Sequence, residues 1–291
     1  MRRGNEMKGK MLACALASAV LTAGAAKLEC IDVRSPSMGK DVPVSVLLPN
    51  AYFIAWAGRF PVIYMLHGAG GENGYYVTEL TRSLVDEYGI IAVCPDGNRE
   101  SWWLDSPVDP RSRYETFVSQ ELVPEIDRRY QTRPDRAHRA IMGGSMGGHG
   151  ACWIGLRHKD VFGAVGNIFG GLELRPHAGK WGLDKVLGDV NANPDVWDGH
   201  SVVTIAPGLK NGELELISVV GTEDFFLPCN RKFHDILSKN HVSHEYIEIR
   251  GVDHEHSCHS GEFFNLAEPR VFRFLADYFR TGKGLLGGLP R

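Results

Sequence analysis

The chain has 291 residues, 43% of them hydrophobic and 23% charged, with a formal net charge of −3. Such a chain can bury a full core as one large globular domain without covalent staples. Beyond the N-terminus there is no Lys/Arg run and the pI is about 6.5, which excludes the basic footprint of a nucleic-acid binder.

Arg2, Arg3, Lys8 and Lys10 form a basic head, residues 11–21 are apolar, and Ala23-Gly24-Ala25 supplies a small-residue cleavage site. This is the grammar of a secretory signal peptide over residues 1–25, and its apolar run is too short to span a bilayer. A secreted or periplasmic protein with no stable membrane insertion after cleavage is expected. The folded domain is expected over 26–280, with a frayed tail over 281–291.

Residues 29–33 alternate in polarity and 42–48 follow a Gly39 turn, which predicts an antiparallel opening pair. Residues 60–66 form a continuous apolar strand, 75–88 a helix, 90–94 a strand stopped by Pro95-Asp96-Gly97, and 114–130 an amphipathic helix. Strands follow at 138–142, 164–169 and 214–220, with a helix beginning near Ala151. The C-terminal part reads as a helix over 228–240, an edge-like strand over 244–249 and a closing helix over 269–280. Strands alternating with helices imply an α/β three-layer sandwich with a mostly parallel central sheet. The irregular stretch 170–212 reads as an insertion over the sheet, not as a lid domain.

The most informative motif is Gly143-Gly144-Ser145-Met146-Gly147, a G-x-S-x-G box between a predicted strand and a predicted helix. In that setting the serine sits on a sharp turn with its hydroxyl pushed off the sheet. The competing reading is a glycine-rich turn whose serine caps a helix. A nucleophilic serine needs a base within hydrogen-bond reach and a carboxylate to orient that base. Strand 214–220 leads into Gly221-Thr222-Glu223-Asp224, which offers Asp224 as the acid and Glu223 as the alternative. Strand 244–249 leads into Asp253-His254-Glu255-His256-Ser257-Cys258-His259, where His254 is nearest the strand end and His256 is second. This histidine-rich run lacks the spacing of a known zinc motif, so no metal is assigned. Amides for an oxyanion are expected at Met146, where a helix starts, and at Ala69 in His67-Gly68-Ala69-Gly70-Gly71. His67 reads as structural. Trp102 and Trp103 are candidates to line the substrate cleft, with core packing as the competing reading.

The cysteines remaining after signal removal are Cys30, Cys94, Cys152, Cys229 and Cys258, with no C-x-x-C pair. Cys94 and Cys152 lie in apolar surroundings and read as core thiols. The sequence leaves open whether any two of the five pair.

Tyr64-Met65-Leu66-His67-Gly68-Ala69-Gly70-Gly71, Pro95-Asp96-Gly97 with Ser101-Trp102-Trp103 and Asp105, and Tyr114-Glu115-Thr116 leading into Glu121-Leu122-Val123-Pro124-Glu125-Ile126-Asp127 go together with the serine box and Gly221-Thr222-Glu223-Asp224. In this combination the chain resembles the esterase D-like branch of the α/β-hydrolases over about residues 44–279. That branch holds S-formylglutathione hydrolases, tributyrin-type carboxylesterases, feruloyl and acetyl-xylan esterases, and mycolyltransferases. The resemblance implies Ser145 as nucleophile, Asp224 as acid, Ala69 and Met146 amides for the oxyanion, and no cofactor. At the base this chain departs from the family's Gly-x-His pattern: Asp253 holds the third position and His254 follows. The function so implied is an exported serine carboxylesterase acting on small acyl or carbohydrate-linked esters of acetyl or feruloyl type, with a small-molecule or carbohydrate ester as its partner. The alternatives are an acyltransferase of the mycolyltransferase type and a non-catalytic binding module.

Overall fold

The continuous apolar runs of the sequence become the middle of a sheet. The computed structural model describes residues 26–54, 58–254 and 262–284. Strands β1 (Lys27–Ser35) and β2 (Lys40–Leu48) form the expected antiparallel pair. Then come β3 (Val62–Leu66), β4 (Ile91–Pro95), β5 (Arg139–Gly144), β6 (Ala164–Ile168), β7 (Glu215–Gly221) and β8 (Glu245–Ile249). Their spatial order is β1-β2-β4-β3-β5-β6-β7-β8. Strand β2 runs antiparallel to both neighbours, and every pairing from β4 to β8 is parallel.

Every residue of β3, β4, β5 and β6 is buried, as parallel strands are when helices cover both faces. Successive side chains enter opposite cores, with Val62, Tyr64 and Leu66 on one face and Ile63 and Met65 on the other. This is the three-layer sandwich the sequence predicts. Cys94 and Cys152 are buried, Cys30 is exposed, and the described cysteines are free thiols; Cys258 lies outside the described residues, as does the expected signal peptide.

Helix α1 (Glu79–Tyr88) starts later than its pattern suggests, because the Thr78 hydroxyl accepts the Thr81 amide at 3.1 Å and caps it there. The expected helix over 114–130 exists in three registers: α2 (Tyr114–Thr116), a π-helical stretch (Phe117–Leu122) and α3 (Val123–Arg129). Pro124 has no N–H to give and its ring excludes the carbonyl four residues back, so the helix widens ahead of it. Helix α4 (Met146–Arg157) is buried from Met146 through Leu156.

The 170–212 insertion carries short helices α5 (Leu183–Leu187), α6 (Pro194–Gly199) and α7 (Val202–Ile205). Its Leu172, Leu183, Leu187 and Trp197 join the same core cluster as β3, so it belongs to the one domain. After α8 (Leu227–Lys239), the closing helix α9 (Glu262–Thr281) begins well before Pro269, which the sequence suggested as its start. Burial of Phe264, Ala267, Val271 and Phe274 in the second core holds Pro269 inside the helix despite the lost backbone bond.

From β3 the chain passes to β4 on one side and then crosses over β3 to β5 on the other, so the strand order reverses there. Ligands of open parallel sheets bind beyond the carboxyl ends at such a point. The connections after β3, β5, β7 and β8 all open on this edge.

Two outcomes follow from this packing. A Cβ added at Gly147 would collide with the Leu66 carbonyl oxygen, where α4 crosses the end of β3. Gly147→Ala is therefore expected to destabilise the fold by about 3 kcal/mol, read from denaturant midpoints; an unchanged midpoint would contradict this packing. In α9, Glu268 is buried with its carboxyl accepting the Thr81 hydroxyl at 2.7 Å, and burial pushes it up from 4.5 to about 7. The folded protein then holds a proton the unfolded chain has lost across that window, so stability falls as pH rises, by at most about 1.4 kcal/mol per pH unit. Glu268→Gln should match the parent near the acid end of the window and be the more stable of the two at pH ~8.

Candidate active site

The chain passes from β5 to α4 through one residue, Ser145, at φ 56° and ψ −119°. Non-glycine residues rarely occupy such a backbone and hold it only when the surroundings impose it. Here they do. A Cβ on Gly143 would strike the Gly147 backbone, so both glycines of the box are needed for strand and helix to meet this closely. The Ser145 amide donates to the Ile168 carbonyl at 3.0 Å and its carbonyl accepts the His149 amide at 3.1 Å.

Ser145 Oγ lies 2.9 Å from His254 Nε2, and His254 Nδ1 lies 2.9 Å from Asp224 Oδ2. With the Nδ1 proton donated to the carboxylate, Nε2 presents a lone pair to the serine hydroxyl. Asp224 also accepts the Phe226 amide at 2.7 Å. The Asp224 and His254 side chains are 1% and 9% exposed. The structure therefore brings together Ser145, Asp224 and His254. Glu223, the alternative acid, is exposed instead, and its carboxylate accepts the Thr222 hydroxyl at 3.3 Å. His256, the alternative base, lies outside the described residues.

A buried amide network that sequence reasoning missed fixes the acid's turn. Asn167 Nδ2 donates to Ser218 Oγ at 2.6 Å and to Asn230 Oδ1 at 2.7 Å, while Asn230 Nδ2 donates to the Phe226 carbonyl at 2.9 Å. These bonds tie β6, β7 and α8 together directly beneath Asp224. The signal was present in the sequence as polar residues inside apolar strands, Asn167 in β6 and Ser218 in β7.

Met146 opens α4, where the first amides of a helix have no intrahelical acceptor. A Cβ on Gly68 would sit 3.4 Å from Ser145 Cβ, so the 67–71 loop rests against the serine. The Ala69 amide makes no backbone hydrogen bond among the described residues. His67 is buried as a brace: its Nδ1 is 2.8 Å from the Gly68 carbonyl and its Nε2 accepts the Gly97 amide at 2.8 Å. The loop that carries Ala69 and the helix start at Met146 thus both adjoin Ser145.

Trp102 and Trp103 do not form the open cleft wall expected from the sequence. Both are buried, at 1% and 0% exposure. Trp103 Nε1 donates to the His67 carbonyl at 3.1 Å and its ring lies 5.0 Å from the His67 ring, so it braces the loop from below. Both tryptophans adopt positive φ (54° and 59°).

The rings beside His254 are others: Phe225 at 4.3 Å, Phe169 at 4.8 Å and Phe226 at 5.1 Å between centroids. Phe225 and Phe226 follow the acid directly, a signal the sequence carried. Trp181, stacked on Phe225 at 5.4 Å, comes from the insertion and had no local signature.

Comparison with known proteins bears on the family and the fold. The Esterase family model matches residues 35–263. "Esterase Rv1288" of Mycobacterium tuberculosis is 29% identical over 248 residues, covering 75% of this chain and 54% of that protein. "Diacylglycerol acyltransferase/mycolyltransferase Ag85A" of Mycobacterium leprae is 27% identical over 182 residues, covering 58% of this chain and 52% of that protein. The chain thus spans about half the length of these two relatives. The fold is shared with a solved ferulic acid esterase at a TM-score of 0.72 and 24% identity, over 88% of this chain and 99% of the other. A serine, an imidazole and a carboxylate hydrogen-bonded at the carboxyl edge of this sheet, within a family match covering most of the chain, place the protein in the Esterase family, in the esterase D-like branch of the α/β-hydrolases.

Proposed function

We propose that the protein is an exported serine carboxylesterase that hydrolyses small acyl or carbohydrate-linked esters of acetyl or feruloyl type through an acyl-enzyme. The observation that carries the reading is the unbroken hydrogen-bonded path from Ser145 through His254 to Asp224. In this catalytic triad His254 Nε2 takes the serine proton as Ser145 Oγ attacks the ester carbonyl. The Ala69 and Met146 amides receive the oxyanion, each donor contributing on the order of 10²–10³ in rate. His254 then gives its proton to the departing alcohol, and water deacylates the enzyme with His254 again as base. Asp224 holds the imidazole in the tautomer this needs. Export rests on the basic, apolar and small-residue pattern of residues 1–25. An acyltransferase of the mycolyltransferase type is the second reading, favoured by the similarity to the mycolyltransferase of Mycobacterium leprae. It uses the same groups with an alcohol in place of water, and product partition with added sugar alcohols separates the two.

Ser145→Ala is expected to abolish hydrolysis of p-nitrophenyl acetate and labelling by a fluorophosphonate while the fold persists; equal labelling of parent and variant would refute the nucleophile. Asp224→Asn should lower kcat by about 10³–10⁴-fold through the wrong imidazole tautomer, whereas Glu223→Gln should stay within about twofold. Steady-state kinetics of the two variants side by side decide which carboxylate is the acid.

A further inference from the structure

The side of the site where the alcohol must leave is walled by aromatic rings. His254 Nε2 delivers its proton to the departing alkoxide, so the alcohol part of the ester lies against the imidazole. Phe225 packs on that imidazole with ring centroids 4.3 Å apart and planes tilted by 35°, and is still 42% exposed. Trp181 stacks on Phe225 at 5.4 Å and 15°.

The position of Trp181 is imposed. Its φ is 47°, and its carbonyl accepts the indole N–H of buried Trp102 at 3.0 Å. A strained backbone held this way keeps this half-buried ring, which packs in part on the core, stacked against Phe225. An exposed apolar surface beside the reacting groups is the mark of a ligand contact. Polar groups also border these rings: His177 Nδ1 is buried without a partner among the described residues, with its ring 5.7 Å from Trp181, and Lys180 Nζ lies 5.6 Å from the Trp181 ring centroid. A sugar pressed against these ring faces would lose water from hydroxyls that the rings themselves do not replace. An aromatic ring would lose little and gain edge or offset contacts with Phe225 and Trp181.

We propose that Trp181 and Phe225 form the subsite for the alcohol part of the ester, and that this subsite takes an aromatic ring. The proposal rests on the esterase reading above and narrows it to small esters of aryl-bearing alcohols.

The test holds the acyl group constant and compares ethyl acetate, benzyl acetate and an acetylated methyl glucoside on the purified protein. Trp181→Ala is expected to lower kcat/KM for benzyl acetate about three- to tenfold and to leave ethyl acetate within about twofold. Trp181→Phe should retain most of the benzyl preference. Phe225→Leu should act in the same direction as Trp181→Ala, which guards against misfolding of a single variant. Equal losses on ethyl and benzyl acetate, no loss on benzyl acetate, or a loss confined to the acetylated glucoside would each overturn the proposal. A wild type that cleaves none of the three acetates sinks the esterase reading and the subsite together. A wild type that cleaves them without the benzyl-specific loss in the variants sinks the subsite alone.

Discussion

A helix that starts one residue after a buried strand must reverse the chain within that residue, and Ser145 absorbs the reversal at φ 56°. The cost of that backbone is met by close contact of α4 with the ends of β3 and β5, contact that only hydrogen at Gly143 and Gly147 permits. The same contact sets three features at once. It pushes the serine hydroxyl off the sheet edge, leaves the Met146 amide at a helix start, and brings Gly68 within van der Waals distance of Ser145. Relaxing the turn would therefore disperse the nucleophile and the expected oxyanion donors together.

The acid and the imidazole depend on a different device. Asp224 sits on a turn whose downstream carbonyl, that of Phe226, is held by Asn230, itself bonded to Asn167 on the neighbouring strand. Buried amides are costly when unpaired and rigid when satisfied, so this network fixes the turn with little freedom. A carboxylate on a loop thereby gains the positional definition of a residue on a strand. His254, by contrast, is gripped by its hydrogen bond to Asp224 and by three neighbouring phenylalanine rings.

Tertiary contacts, and neither backbone conformation nor local sequence, divide the aromatic residues. Trp102 and Trp103 stand on a loop next to the site, yet both are buried, with their indole N–H groups donating to the Trp181 and His67 carbonyls. Trp181 shares their positive φ, on a loop anchored by Trp102, and is only half-buried. Burial of one indole thus sets the exposure of another. Neither assignment follows from hydrophobicity, since all three are tryptophans.

By itself the sequence determined the layers and the chemistry. Apolar runs too uniform for a half-exposed sheet dictated buried parallel strands, and the spacing of serine, acid and histidine after successive strands dictated which connections meet. It also offered Asp224 and His254 in the segments that follow β7 and β8, with Glu223 and His256 as the alternatives. Contacts between distant segments decided the rest: the π-helical widening ahead of Pro124, the early start of α9, the exclusion of Glu223, and the exchange of Trp102 and Trp103 for Trp181 and Phe225 beside the imidazole. The physical reason is one of range. Periodicity and caps report on residues a few positions apart, whereas these outcomes are set by burial against segments tens of residues away, where packing outweighs local preference.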